Sequence, residues 1–361
     1  MVRKRFFNLF ERIRRSNKSI TLMVFSILGL VGLIFILLNT DFGELFVFFQ
    51  NTTIYLVVFF ILIQVSLMVV LTSRWAVILK SQGHRNINLF RLNKYRVAGQ
   101  SISFFTPTAR IGGEGVKTRI MAKRESLKYG RALSSVVLDN AVDLTASGFF
   151  FFIGALIVIA SISGEFATKI FLGFLVLLFV FALGLFNYRL FKGKPLIHSF
   201  AKRVGLFKIK RIRRLELDIK KFDRDLHEFY RRDKRYFFYA IGLSFLSWVL
   251  MFLEYYVAGR MFGLNFSLWM IFLIVTLVGI AYLLPVPMAL GTLEAGQLSA
   301  FIILSLNTAA GIGLSLIIRA KDLLIALWGI GIISFYGFDV NKSLEKSGFG
   351  DDEVFFDESE E

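Results

Sequence analysis

The chain has 361 residues, 56% of them hydrophobic and 42 of them Phe, with a net charge of +17 and no cysteine. A soluble domain of this size could not cover that much apolar surface, so the expected solvent is lipid. The missing cysteines exclude a disulfide framework, a Cys-based zinc site and an iron–sulfur cluster. His84, His198 and His227 are too scattered for metal ligation, so neither a metal nor a cofactor is expected.

Residues 1–19 carry seven bases, and the apolar stretch 20–38 that follows has no small-residue cleavage site after it. It reads as a retained first span. Further spans are expected over 54–72, 144–162 (starting nearer Arg131), 170–188 and 237–257, each long enough to cross a hydrocarbon core of ~30 Å as a helix. Of 43 Lys and Arg, 37 fall in four blocks: before Ile20, over 74–96, over 110–131 and over 189–235. Each block flanks apolar sequence, which is the positive-inside pattern and places all four in the cytoplasm. That placement argues against nucleic acid as the partner and for an anionic membrane surface, at roughly 1 kcal/mol per base near the lipid.

Between the second and third blocks lies VAGQSISFFT, 97–106. Ten residues cannot span, and both flanks are basic, so a re-entrant segment is expected near 97–115. It would dip in from the cytoplasm, break at Pro107 and return through Gly112 and Gly113. The long loop 189–235 contains Leu215, Ile219, Phe222, Leu226 and Phe229 at helical spacing among charges. That is an amphipathic helix, either lying on the inner membrane surface or packed on the protein. Residues 338–361 form an acidic tail, expected to be disordered.

The second half holds an apolar stretch over 267–284, a break at Pro285 and Pro287, a short apolar piece over 295–306, and a last long helix to Tyr336. The segment Pro107-Thr-Ala-Arg-Ile-Gly-Gly-Glu114 recurs 180 residues later as Pro287-Met-Ala-Leu-Gly-Thr-Leu-Glu294, with three of the four prolines of the chain at these two places. A duplicated helix break leading through Gly (Gly291 in the second copy) to a carboxylate is a transporter-like feature. If 267–284 spans, the halves are parallel repeats; if 267–306 is a hairpin entering from outside, they are inverted. Inversion explains why the first break is surrounded by bases and the second by none. The expected fold is therefore an all-α polytopic membrane protein. It has a first repeat over 20–188 and a second over 236–337, broken near 285–296. Together they hold about six full spans and two re-entrant hairpins.

Asp139, Asp143, Glu254, Glu294, Arg319, Lys321 and Asp322 fall within or beside apolar helices. Each would cost roughly 2.5–3.5 kcal/mol at a helix centre facing lipid. They must either pair inside the protein, as Asp139 or Asp143 with Arg319 would, or line a polar path. At the first break, free N–H groups at a helix start together with Arg110, Lys117 and Arg119 suit an anionic head group, while Glu114 and Glu294 could hold those arginines, receive a head-group amine or exchange protons. GGEGVKT lacks the Gly-Lys-Ser/Thr ending of an NTPase loop, and no hydrolase or zincin motif is present.

The stretch TPTARIGGEGVKTRIMAKRESLKYGRALSSVVLDNAVD, with PMALGTLEAG and SLIIRAKD in the second half, resembles the lysylphosphatidylglycerol synthase transmembrane (flippase-like) family, from about residue 20 to 336. The resemblance implies a polytopic domain that moves or binds phospholipid. It marks Pro107, Gly112, Gly113 and Glu114, then Pro287, Gly291, Glu294 and Arg319, as signature positions. Where a Glu-Arg pair is expected in the first long helix this chain has Asp139-Asn140, which puts an arginine role there in question. No aminoacyl-transferase domain is expected after Tyr336.

Together these readings point to a translocase or binding transporter for an anionic or aminoacylated phospholipid, or a polyprenyl-phosphate-type lipid, without an ATPase of its own. It would sit in the plasma membrane with both termini cytoplasmic, and a homodimer is compatible with it. The alternatives are a membrane-embedded transferase using Asp139, Asp143 or Glu114 as base, and a non-transporting accessory protein.

Overall fold

A computed structural model describes residues 52–84, 86–106, 112–161, 166–192, 195, 197–203, 216–231, 234–284 and 286–336, with Leu38 and Gly43. The expected first span up to Leu38, the acidic tail, Pro107, Arg110 and Pro285 lie outside the described residues. Among those described, the regular elements are all helical: α1 (Ile54–Ser81), α2 (Leu89–Phe105), α3 (Glu114–Arg124), α4 (Tyr129–Ser161), α5 (Phe166–Phe191), α6 (Ile197–Arg203), α7 (Glu216–Arg231), α8 (Lys234–Met261), α9 (Leu268–Leu283), a 3-10 turn (Pro287–Ala289), α10 (Thr292–Ile303) and α11 (Thr308–Phe335). By length and composition α1, α4 and α8 can cross a membrane.

Local sequence sets the helix starts. Asn88 Oδ1 accepts the Phe90 and Arg91 N–H groups at 2.8 and 3.4 Å, and Asn307 Oδ1 accepts those of Ala309 and Ala310 at 2.8 and 3.2 Å. These caps satisfy orphan donors of α2 and α11. The first cap also makes α2 longer than the apolar run alone indicates, because it winds Arg91, Lys94 and Arg96 into the helix.

A shift of 180 residues carries α1 onto α8, α2 onto α9, α3 onto α10 and the start of α4 onto that of α11, to within one or two residues. The matched helices α1 and α8 pack along their length in opposite directions. Thr52, before α1, donates to the Met261 carbonyl at the end of α8 (2.9 Å), while Arg74 near the end of α1 reaches Ser244 near the start of α8 (3.1 Å). At 28 residues each helix is about 42 Å long.

The remaining helices interlock across this pair. α2 lies against α11, and α9 lies against α4. Helices α2 and α3 form a hairpin whose open end is tied by Tyr95 Oη donating to Glu125 (2.7 Å) and whose tip is tied by the Gly113 N–H donating to Ser103 Oγ (2.7 Å). Gln82 donates to Ser134 (2.9 Å), which puts that open end beside the end of α1 and the start of α4. Tyr336, just after α11, packs on Tyr95 and under Arg124, so α11 finishes there too. The second hairpin, α9 with α10, opens at the other end, where Phe266 meets Phe301 edge-on at 5.9 Å.

The amphipathic helix α7 resolves one of the two readings above. Phe222, Leu226, Phe229 and Tyr230 are buried against Ile78, Leu138, Val142, Phe237 and Ala240, so its apolar face is on the protein. Leu215 lies outside the described residues. The outer faces of the long helices stay apolar, with Val58, Leu62, Phe174, Leu177, Leu324 and Leu327 exposed, as a lipid-facing surface requires.

The arms of the first hairpin touch backbone to backbone: a Cβ on Gly113 would collide with the Gly99 carbonyl and stand 2.8 Å from Ser103 Oγ. Gly173 on α5, in contrast, faces open space. Gly113→Ala should therefore lower stability by about 1–3 kcal/mol through overpacking, whereas Gly173→Ala should hold or raise it through helix propensity. Thermal unfolding of the purified variants checks this, and equal midpoints would remove the close approach from the account.

Candidate functional site

The two hairpin tips meet. Ser103, Phe104 and Thr106 at the end of α2 and Tyr282, Leu284, Val286, Met288 and Ala289 around the second break line one cleft. A seam of charged side chains runs through each half of the molecule, and in the second half it reaches that cleft through Tyr282 and the Met288 and Ala289 carbonyls.

In the first half Arg74, 1% exposed, donates from Nε to Asp139 Oδ1 at 2.7 Å and from Nη1 to Asp143 and to Ser244 Oγ. Arg96 bonds the other Asp139 oxygen at 3.3 Å and the Leu71 carbonyl at 3.1 Å. Two guanidinium groups and two carboxylates thus join α1, α2, α4 and α8 with no net charge, the arrangement that limits the cost of burying ions. Lys117 lies next along the seam, within electrostatic reach of Asp139, and its Nζ bonds both oxygens of Glu114 at 3.0 Å. Glu114 opens α3, where a carboxylate also suits the helix dipole.

In the second half the backbone itself is strained. Met288 and Ala289 have φ of 56° and 50°, a region costly for side-chain-bearing residues, and Gly291 follows at 72°. Arg319 holds this turn. Its Nη1 and Nη2 donate to the Met288 and Ala289 carbonyls at 2.9 and 3.2 Å, and its Nε donates to Glu294 Oε1 at 2.6 Å. A planar fork of donors is the side chain suited to that task. Beyond it, Lys321 bonds Glu254 at 2.7 Å and lies 3.5 Å from Asp322, to which Tyr282 Oη, on the cleft wall, donates at 3.0 Å.

The expected site residues fall into separate pairs within each half, with partners other than those expected. Asp139 and Arg319 do not pair across the halves. Asp139 belongs to Arg74 and Arg96, and Arg319 to Glu294 and the second turn. The arginine missing beside Asp139 in the sequence is supplied by α1 and α2. Glu114, Lys117, Glu254 and Asp322 join the seam, and Arg119 is half-buried on α3. Gly112 and Gly113 form the turn before α3, and Pro287 starts the 3-10 turn. By sequence Arg74 and Arg96 belong with the clustered bases over 74–96. One signal does find Arg74: the 180-residue shift lands it on Glu254, an evident intramembrane charge. Among the described residues no three His, Asp or Glu converge as a divalent-metal set.

The sequence profile of the lysylphosphatidylglycerol synthase TM region matches residues 21–329. A UPF0104 membrane protein of Methanothermobacter thermautotrophicus is 24% identical over 340 residues, which cover 88% of this chain and 96% of that protein. A second UPF0104 membrane protein, from Methanocaldococcus jannaschii, is 30% identical over 139 residues, 38% of each chain. No solved structure matches.

Two outcomes follow from the pairing. Asp139→Asn leaves Arg74 and Arg96 short of a counter-charge and should cost about 3 kcal/mol of stability. Lys321→Glu should be at least as damaging, and adding Glu254→Lys should recover part of the loss, because the double change restores the pair. Unfolding midpoints of the three proteins test both; a double variant no better than the single one would mean that Lys321 and Glu254 are not coupled.

Proposed function

The chain belongs to the family of the lysylphosphatidylglycerol synthase TM region, and from that membership we propose that it is a multi-pass lipid translocase acting on an anionic, phosphate-bearing lipid. The observation that carries this reading is that the tips of the two broken hairpins share one cleft, whose wall is joined through Tyr282 to Asp322 and through the Met288 and Ala289 carbonyls to Arg319. Irregular backbone and charge at membrane depth are tolerated only where protein or a wet cavity surrounds them. The head group would pass the cleft between Lys117 and Arg96 on one side and Arg319 on the other, with its acyl tails left in lipid. Ser103, Thr106, Tyr282 and the carbonyls of the strained turn give that path neutral hydrogen-bonding groups along its walls.

In this reading the halves are inverted repeats. The opposed directions of α1 and α8, and the hairpins that open at opposite ends, support it, because such an axis lies in the membrane plane. Rocking of one repeat against the other then alternates access. The exposed bases Lys80, Arg91, Lys123, Arg124, Lys128, Lys234 and Arg235 gather at the end where the first hairpin opens. By the positive-inside rule that end is cytoplasmic, and the chain leaves α11 there, so the C-terminal tail is cytoplasmic as well. With no nucleotide motif in the sequence, the driving force is a lipid or ion gradient.

Purified protein in liposomes carrying labelled anionic lipids should accelerate transbilayer movement over protein-free vesicles. Ala289→Trp, which fills the cleft, should slow that movement roughly tenfold, a barrier change of ~1.4 kcal/mol, whereas Gly173→Ala should not. Absence of acceleration across several head groups overturns the translocase reading. A C-terminal reporter found outside the cell overturns the inverted arrangement.

A further inference from the structure

Position for position, the two hairpins differ in how they neutralise their signature carboxylate. In α3, Glu114 and Lys117 are one turn apart, and the Lys117 ammonium sits on both carboxylate oxygens at 3.0 Å. The same two places in α10, 180 residues on, hold Glu294 and Gln297. Both are completely buried, at 0% exposure. Arg319 takes Glu294 Oε1, but Glu294 Oε2 and both polar atoms of Gln297 have no partner among the described residues. Three enclosed polar atoms without partners on adjacent turns are unusual, because each gives up its hydration with nothing in return. Two of the three, a carboxylate oxygen and an amide carbonyl oxygen, are hard oxygen donors of the kind that bind alkali cations.

We propose that α10 carries a site for a small monovalent metal cation, held between Glu294 Oε2 and Gln297 Oε1 where the first hairpin uses the ammonium of Lys117. Glu294 carries one negative charge and already shares it with Arg319, so the cation it can help hold is singly and not doubly charged. The presence of Arg319 on the opposite oxygen does not preclude this, since Glu114 likewise lies within electrostatic reach of Arg96 while it binds Lys117. The site adjoins the strained turn, because Glu294 and the Met288 and Ala289 carbonyls share Arg319. A bound cation therefore stabilises the same turn that walls the cleft. The inference stands apart from the lipid reading, because it is a statement about ion binding to the resting protein.

Thermal unfolding of the purified protein in detergent, at fixed ionic strength and pH, separates the possibilities. In sodium or potassium chloride the midpoint should rise to saturation above that in choline chloride, whose cation is too large for an enclosed site. A rise with either metal supports the site, and the larger one identifies the preferred ion. Gln297→Lys supplies the ammonium from the chain itself, so its midpoint in choline should match or exceed that of the metal-loaded parent, with the salt response gone. Gln297→Leu, of similar size and without polar atoms, should also lose the response, which guards against a Lys variant that fails to fold. Equal midpoints for the parent in all three salts, or a response retained in Gln297→Leu, would overturn the proposal.

Discussion

The structure depends on one electrostatic constraint: an ionised side chain held among apolar helices must have its counter-charge within bonding distance. Arg74 is the clearest instance, since it is buried at the junction of α1, α4 and α8 and bonded to groups on the last two. An unpaired guanidinium there would be strongly unfavourable, and a paired one fixes how three helices approach one another. Lys321 does the same for α8 and α11 through Glu254. Since position 74 matches position 254 under the repeat shift, the same junction is made twice with the signs exchanged. The geometry of the junction is retained although the charges are not. What the fold requires at that place is a pair rather than a particular ion.

Steric constraints act alongside the charges. Broken helices need their arms close enough for backbone groups to satisfy each other, and side chains at the contact would prevent it. Gly99 and Gly113 meet that need in the first hairpin. In the second, the chain turns through left-handed residues that include Met288 and Ala289, and Arg319 compensates by taking up their carbonyls. One break is closed by small residues and the other by a guanidinium fork. Their tips still arrive at a common cleft, because the antiparallel α1 and α8 set the distance between the two ends.

Much of this was legible in the sequence because the medium is demanding. Lipid leaves few residue types for exposed positions, so apolar length located α1, α4, α5 and α8, and clustered bases marked one end of the molecule. The duplicated Pro-to-Glu segments located both hairpins and their signature carboxylates. Proline and glycine constrain the backbone locally, and a local constraint is readable wherever it occurs. The amphipathic period of α7 was likewise plain, yet periodicity gives only the existence of an apolar face. Whether that face meets lipid or protein depended on Ile78, Leu138 and Phe237, which come from three other helices.

The sequence by itself determined the helical class, the two breaks, the family and the list of charges that needed explaining. Only the tertiary structure decided which charge answers which. Asp139 could have served Arg319, and it serves Arg74 and Arg96, because pairing follows distance in space and those partners lie on helices far away along the chain. That Gln297 has no partner among the described residues was equally beyond reach from the sequence, where a glutamine in an apolar helix says nothing about its neighbours. A hydrogen bond extends about 3 Å, and no pattern in one dimension specifies which groups a folded chain will bring within it.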